Sequence, residues 1–182
     1  MVKIIVCLTG MPGAGKSTVA DGLKSRNFQI INMGDAVRAE AKRRNIEPNG
    51  TNLGKLMLEL REKNGQGAVA ELIRDQIQNS KSDVIVIDGI RSNEEIAVLR
   101  KIATVKLLAI DTSTDTRFKF LSDRGRSDDP KNREEFSKRD SREIGVGVNE
   151  SIAFADETIS NNDLTIQELI DSAHKIIKNW AK

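Results

Sequence analysis

The sequence predicts a three-layer α/β fold built on a parallel β-sheet. Short, almost continuous apolar runs recur along the chain, which is typical of parallel strands covered on both faces. Stretches with apolar residues at helical spacing separate these runs, so strand and helix alternate. The chain has 182 residues, of which 38% are hydrophobic and 31% are charged. It is therefore long enough for one substantial core, and residues 1–182 are interpreted as a single domain.

Five segments are predicted as strands: residues 3–9, 28–31, 83–88, 105–111 and, on a weaker pattern, 157–160. Helices are predicted between them, and the last helix carries one apolar stripe from Ile166 to Trp180. Two segments interrupt the alternation. Residues 35–80 hold several helices where one would suffice, and residues 123–149 are rich in charge and glycine. Neither segment is expected to form core.

Both interrupting segments are interpreted as covers over a ligand, because long polar insertions in compact domains often bind or enclose one. Residues 35–80 are predicted to form a helical acceptor-binding insert, and residues 123–149 a lid. For the second segment, the alternative is a solvated surface excursion.

Composition limits the classes of binding partner and the cellular compartment that are expected. The 29 basic and 27 acidic residues nearly balance, so nucleic acid is an unlikely partner. Cys7 is the only cysteine, which excludes an internal disulfide and a cysteine-rich zinc site and suits a reducing compartment. The apolar run near the amino terminus is too short to span a membrane. A cytoplasmic protein without a membrane partner is expected, and its state as monomer or homodimer stays open.

The segment GMPGAGKS, Gly10 to Ser17, matches the pattern G-x-x-x-x-G-K-[ST] between a predicted strand and a predicted helix. Its glycines let backbone N–H groups converge on phosphate oxygens, and the helix N-terminus adds a positive dipole end. Lys16 is expected to reach the β- and γ-phosphates, and Ser17 to ligate Mg²⁺. The predicted nucleotide-binding residues are Gly10, Met11, Pro12, Gly13, Ala14, Gly15, Lys16, Ser17 and Thr18. This P-loop alone leaves open a switch, a motor and a kinase.

Charged residues follow the second and third predicted strands. Asp35 and Arg38 follow the second, while Asp88 and Arg91 end and follow the third. In a doubly wound sheet, ligands bind beyond the carboxyl ends of the strands, so these side chains are expected to face the same crevice as the P-loop. Asp88 is suited to hold Mg²⁺. Arg38 and Arg91 are suited to clamp a second phosphate, because guanidinium is a planar, permanently charged fork. A second phosphate site favours transfer to a phosphorylated acceptor.

Here the sequence resembles the adenylate kinase-like nucleoside monophosphate kinases. Their G-D-x-x-R stretch corresponds to Gly34, Asp35 and Arg38, and their D-G-x-x-R stretch to Asp88 and Gly89, with Arg91 one residue nearer the aspartate. The resemblance implies the strand order 2-3-1-4-5 and places Gly89 and Arg91 with the acceptor.

The segment RSDDP, residues 126–130, followed by Arg139, resembles the lids of the same family, whose arginines close over the transferring phosphate. The candidates are Arg124 for the nucleotide, Arg126 and Arg139 for catalysis, and Arg142 for the acceptor. The alternative is that some of these arginines form only exposed ion pairs, which contribute little.

The segment ADETISNNDLTIQEL, residues 155–169, resembles the closing segment of the dephospho-coenzyme A kinases. If the acceptor is a hydroxyl, Asp35 becomes a candidate general base; if it is a phosphate oxygen, positioning suffices. As a whole, the chain resembles an archaeal family of adenylate kinase-related proteins, which implies ATP binding and a kinase fold.

The predicted function is transfer of the γ-phosphate of ATP, with Mg²⁺, to a small phosphorylated acceptor, of which a nucleoside monophosphate is the favoured class. Lys16, Asp35, Asp88, Arg126 and Arg139 form the predicted catalytic group. The alternatives are a dephospho-coenzyme A kinase and, from another class, a nucleotide-dependent switch or regulatory ATPase.

Overall fold

The computed structural model describes residues 4–126 and 129–182. Its sheet contains five strands: β1 Ile4–Thr9, β2 Gln29–Asn32, β3 Val84–Asp88, β4 Thr104–Asp111 and β5 Glu157–Ser160. The strand order is β2-β3-β1-β4-β5, and every neighbouring pair is parallel. The predicted three-layer fold, its five strands and their order are therefore confirmed.

Ten helices are described along the chain. They are α1 Lys16–Lys24, α2 Met33–Arg43, α3 Gly50–Asn64, α4 Ala68–Glu71, α5 Arg74–Gln78, α6 Asn93–Arg100, α7 Thr114–Arg124, α8 Arg133–Val146, α9 Val148–Ala153 and α10 Ile166–Trp180. None of the helices in the described part of the chain is both long and apolar enough to cross a membrane.

The central strand β1 separates two layers of core. Because successive side chains of a strand point to opposite faces, Ile5 and Cys7 pack on one face, against the side that holds α2 to α6. Val6 and Leu8 pack on the other face, with apolar residues of α1 and α10. Cys7 is fully buried, as expected of a small apolar residue in a strand.

The expectation that residues 35–80 contribute no core is wrong. Their four helices and the turn between α4 and α5 supply a large part of one core layer, including Val37, Leu56, Val69, Ile73 and Ile77, all of which are buried. The four helices have 11, 15, 4 and 5 residues, and each buries the apolar residues of one face. Several such faces together cover the sheet that a single longer helix would otherwise cover.

The charged segment 123–149 forms the end of α7, all of α8 and the start of α9, with Ser127 and Asp128 outside the described residues. Phe136 is the large apolar side chain that α8 buries. The same helix also buries Glu143. Charged contacts therefore supply much of the packing of α8 against the rest of the domain.

Candidate functional site

The P-loop connects the carboxyl end of β1 to α1. Gly10, Gly13 and Gly15 have φ values of 143°, 83° and 112°, which side-chain-bearing residues rarely adopt. A Cβ atom at Gly10 would lie 2.4 Å from the carbonyl oxygen of Ile110, and one at Gly15 would lie 2.7 Å from Nδ2 of Asn161. The loop therefore needs glycine at both of these positions.

Two polar side chains fix the middle of the loop. The carbonyl oxygen of Ala14 accepts hydrogen bonds from Oγ1 of Thr112 at 2.9 Å and from Nδ2 of Asn161 at 3.0 Å. Thr112 follows β4 and Asn161 follows β5, and sequence reasoning missed both. Their position immediately after predicted strands was the available signal, because that edge of the sheet faces the ligand crevice.

Lys16 lies partly buried at the start of α1. Its Nζ donates hydrogen bonds to the carbonyl oxygens of Gly10 at 2.6 Å and Met11 at 3.0 Å. Burial lowers the pKa of Lys16 to about 8, although the neighbouring Asp88 opposes this shift. The ammonium group is therefore held inside the loop, where the phosphates of a nucleotide would pass.

Asp88 ends β3 opposite Asn32, its register partner at the end of β2. Its Oδ2 accepts hydrogen bonds from Nδ2 of Asn32 at 2.8 Å and from Oγ of Ser17 at 3.4 Å. Burial raises the pKa of Asp88, although the charges of Lys16 and Arg91 oppose the shift. Sequence reasoning missed Asn32, whose side chain also caps α2 by accepting from the N–H of Asp35.

Ser17 and Asp88 together offer one hydroxyl and one carboxylate to a metal ion. In the described part of the chain, no group of three or more histidine, cysteine or carboxylate side chains could hold a metal. Mg²⁺ commonly takes one or two protein oxygens and completes its shell with water and phosphate oxygens. The donor set of Ser17 and Asp88 therefore fits Mg²⁺ bound together with a nucleotide.

Arg38 and Asp35 form an ion pair on the first turns of α2. Nε and Nη2 of Arg38 donate to Oδ1 of Asp35 at 3.2 Å and 2.6 Å. The side chain of Asp35 is 72% exposed, whereas that of Arg38 is 43% exposed. The carboxylate of Asp35 therefore faces largely toward solvent in this arrangement.

Arg91 lies on the loop between β3 and α6, and it pairs with a residue that sequence reasoning missed. Its Nε lies 2.6 Å from Oε2 of Glu143, on α8. Burial by itself raises the pKa of Glu143, but nearby arginines, Arg91 first among them, outweigh burial and hold that pKa below its usual range. Arg142, the neighbour of Glu143, lies 3.9 Å from the same carboxylate.

The carboxylate of Asp129 accepts hydrogen bonds from three arginines of the charged segment. It accepts hydrogen bonds from the guanidinium of Arg124, from the backbone N–H of Arg126 at 2.9 Å and from Nη1 of Arg139 at 3.3 Å. Burial of Asp129 disfavours its charge, but these donors hold its pKa below the usual range. Of the RSDDP segment, Ser127 and Asp128 lie outside the described residues.

A cavity of about 360 Å³ lies between the P-loop and these arginines. All of the predicted site residues line it except Met11, Ala14, Asp35 and Arg142. Glu143 and Asn32 belong to its wall, and so do five apolar residues that the sequence did not indicate: Phe120, Leu121, Leu164, Ile166 and Leu169. The cavity thus joins a phosphate-binding loop, an arginine-rich wall and an apolar region.

Comparison with known proteins supports the same architecture. The AAA domain family matches residues 9–137. A protein from Thermus thermophilus, TT1252, has a TM-score of 0.69 at 17% identity over 100% of both chains. Shikimate kinase from Aquifex aeolicus has a TM-score of 0.54 at 18% identity, over 97% of this chain and 98% of that chain. These likenesses show a P-loop kinase fold.

The relatives by sequence are UPF0200 proteins. One from Hyperthermus butylicus is 38% identical, over 96% of this chain and 94% of its own length. One from Pyrococcus abyssi is 42% identical over 88% of both chains. One from Methanocaldococcus jannaschii is 37% identical, over 96% of this chain and 95% of its own. The chain therefore belongs to the archaeal UPF0200 family, within the P-loop kinase fold.

Proposed function

We propose that the protein transfers the γ-phosphate of ATP to a small phosphorylated acceptor, with a nucleoside monophosphate as the favoured class. One observation carries the proposal. A single cavity is lined both by the P-loop and by Arg38 and Arg91. Arg38 lies on α2, which directly follows β2, and Arg91 lies on the loop that follows β3. A nucleotide switch needs only the P-loop. The additional pair of arginines, Arg38 and Arg91, suits a second phosphate in the same cavity.

The donor half consists of residues 10–18. Their backbone and Lys16 hold the phosphates of ATP. Ser17 and Asp88 hold Mg²⁺, which supplies charge neutralisation between the β- and γ-phosphates when bound. The apolar wall near Leu164 and Ile166 suits the base of the nucleotide, because most ligand cavities bury apolar parts against apolar side chains.

The acceptor half consists of Arg38, Gly89 and Arg91. A phosphate acceptor is favoured over a hydroxyl acceptor, because a hydroxyl needs a general base. Asp35, the candidate base, is largely exposed and engaged with Arg38. A phosphate oxygen is already ionised, so it attacks without losing a proton, and positioning suffices.

In the transfer step, an acceptor oxygen forms a bond to the γ-phosphorus while the bond from that phosphorus to the β–γ bridging oxygen breaks. ADP leaves with the electron pair of the broken bond. Lys16, Arg126 and Arg139 offset the charge that develops on the transferring group. Residues 123–149 act as the lid, and their closure excludes water, which disfavours hydrolysis.

The test is a coupled assay for ADP formation. Mg-ATP is supplied with AMP, CMP, GMP, UMP or dephospho-coenzyme A in turn, and ADP is expected only when a nucleoside monophosphate is present. ADP formation without any acceptor would favour a regulatory ATPase. Turnover with dephospho-coenzyme A alone would favour a hydroxyl acceptor.

Arg38→Met tests the acceptor half directly. Loss of a charge-assisted contact of about 1.5–3 kcal/mol should raise the acceptor KM by roughly 10- to 150-fold and leave the KM for ATP within about twofold. The matched control is Arg43→Met, because Arg43 lies on the same helix and pairs with Glu40 as Arg38 pairs with Asp35, three residues earlier. Equal effects of the two variants would contradict the assignment of Arg38.

A further inference from the structure

Arg91 is held at its side chain by a buried carboxylate from another part of the chain. Glu143 contacts Nε of Arg91 at 2.6 Å, and the Glu143 side chain is only 3% exposed. Nη1 of Arg91 lies 3.5 Å from Sδ of Met57. Two of the three guanidinium nitrogens therefore have partners, and the group lies against the wall of the cavity.

Arg91 is also held at its backbone. Its N–H donates to Oε2 of Glu95 at 2.8 Å, and the other oxygen of Glu95 accepts from Nη2 of Arg61 at 2.8 Å. Arg61 and Glu95 are almost completely buried. A residue fixed at both backbone and side chain keeps one orientation, which a planar fork needs if it is to meet a phosphate.

The helix that supplies Glu143 also supplies Arg139. The two residues are four positions apart on α8, so they lie on neighbouring turns of the same side of the helix. Arg139 and Glu143 both line the cavity, and Arg139 contacts Asp129 of the charged segment. Helix α8 thus connects the predicted lid arginines to Arg91, the arginine proposed to bind the acceptor phosphate.

We propose that Glu143 is a positioning residue that fixes Arg91 for the acceptor phosphate and couples acceptor binding to the order of α8. The inference rests on the proposed function, in which Arg91 contacts that phosphate. When phosphate binds Arg91, the Arg91–Glu143 pair transmits the restraint to α8. In this proposal, Glu143 acts through Arg91 and not by direct contact with the acceptor or the transferring group.

The test uses inorganic phosphate as the probe, with the donor half filled by Mg²⁺ and the β,γ-imido analogue of ATP. Amide hydrogen exchange of α8 is followed as phosphate is titrated. In the unaltered protein, phosphate should slow exchange across α8. In Glu143→Gln, which keeps the size of the side chain, this response should be lost, and the phosphate midpoint should rise by at least about tenfold, as for loss of a charge-assisted contact.

Glu134→Gln is the matched control, because Glu134 lies on the same helix, is exposed and pairs only locally with Lys138 among the contacts described. It should behave like the unaltered protein. The midpoint for the ATP analogue should stay within about twofold in both variants, which a general loss of structure would not allow. The double variant Arg91→Met, Glu143→Gln should bind phosphate no more weakly than Arg91→Met alone.

The outcomes separate the two proposals. If Arg91→Met leaves the phosphate midpoint unchanged, the acceptor site of the proposed function is wrong. If Arg91→Met weakens phosphate binding but Glu143→Gln behaves like Glu134→Gln, the positioning role alone is overturned. If Glu143→Gln fails to fold, the unaltered protein still decides the coupling, because the absence of a phosphate-dependent change in α8 exchange would overturn it.

Discussion

Arg117 joins the P-loop to α8 and offers a direct test of how α8 is attached. Its Nη1 donates to the carbonyl oxygen of Pro12 at 2.9 Å, and its two terminal nitrogens contact the carboxylate of Asp140 at 3.0 Å and 2.6 Å. Its guanidinium also lies 4.9 Å from the ring centre of Phe136. We expect the substitution Arg117→Met to loosen both α8 and the P-loop.

The expected cost follows from burial. The side chain of Arg117 is 5% exposed and that of Asp140 is 14% exposed. Removal of one partner from such a pair leaves a nearly buried charge without compensation, which costs about 3–5 kcal/mol. Loss of the contact with the Phe136 ring adds about 0.5–1 kcal/mol. Arg117→Met should therefore lower the free energy of unfolding by about 3.5–6 kcal/mol.

The same two helices provide a control pair. Arg133 of α8 lies 2.8 Å from Asp115 of α7, but these side chains are 57% and 85% exposed. Exposed ion pairs contribute about 0–1 kcal/mol. The guanidinium of Arg133 also lies 4.3 Å from the ring centre of Phe118, a contact of about 0.5–1 kcal/mol. Arg133→Met should therefore cost about 2 kcal/mol or less, although it removes the same type of charge from the same helix pair.

Urea denaturation of both double-mutant cycles measures the difference. One cycle combines Arg117→Met with Asp140→Leu, and the other combines Arg133→Met with Asp115→Leu. We expect a coupling energy of about 2 kcal/mol or more in the buried cycle and below about 0.5 kcal/mol in the exposed one. Similar coupling energies in the two cycles would refute the reasoning, because burial would then not decide the strength of the attachment.

Three further predictions concern the P-loop and its neighbours. Burial lowers the pKa of Lys16 to about 8, and bound phosphate favours the charged amine. Nucleotide affinity should therefore be constant below about pH 8 and fall by up to about tenfold per pH unit above it. Titration with a fluorescent nucleotide measures this dependence, and Lys16→Arg should abolish it. Gly10→Ala should cost at least about 2 kcal/mol in urea denaturation, because the new Cβ would meet the carbonyl oxygen of Ile110 at 2.4 Å. Asn32→Ala removes both a cap and a donor to Asp88 and should lower the free energy of unfolding by about 2–3 kcal/mol, while calorimetry should show weaker Mg²⁺–nucleotide binding.

The sheet could be predicted from the sequence because its signals are local. Each strand is a short apolar run, and the P-loop motif carries its own flanking strand and helix. Every observed strand bound lies within one residue of the predicted one, as for β2, predicted at 28–31 and observed at Gln29–Asn32. Lys3, the predicted start of the first strand, lies outside the described residues. The strand order came from resemblance, because apolar runs do not encode which strands are neighbours.

The interior ion pairs could not be predicted because their partners are far apart along the chain. Glu143 lies in a run of charged residues in which several glutamates look alike, and its partner Arg91 is more than fifty positions away. Only the packing of α8 distinguishes the buried Glu143 from the exposed Glu134. The core contribution of residues 35–80 was missed for a related reason: apolar spacing indicates helices there, but tertiary packing decides whether those helices cover the sheet.

The carboxylates beside the cavity differ in how they can respond to a polyanion. Buried cations need counter-charges in order to fold, because an uncompensated buried charge is strongly destabilising. Arg91 and Arg124 take theirs from Glu143 and Asp129, whose side chains are 3% and 4% exposed, so these pairs persist when a ligand binds beside them. Asp35 is 72% exposed, so water can solvate its carboxylate if the proposed acceptor phosphate takes its place on Arg38. Under the proposed function, we therefore expect Arg91 and Arg124 to keep their buried carboxylates, whereas Arg38 exchanges the exposed carboxylate of Asp35 for the acceptor phosphate.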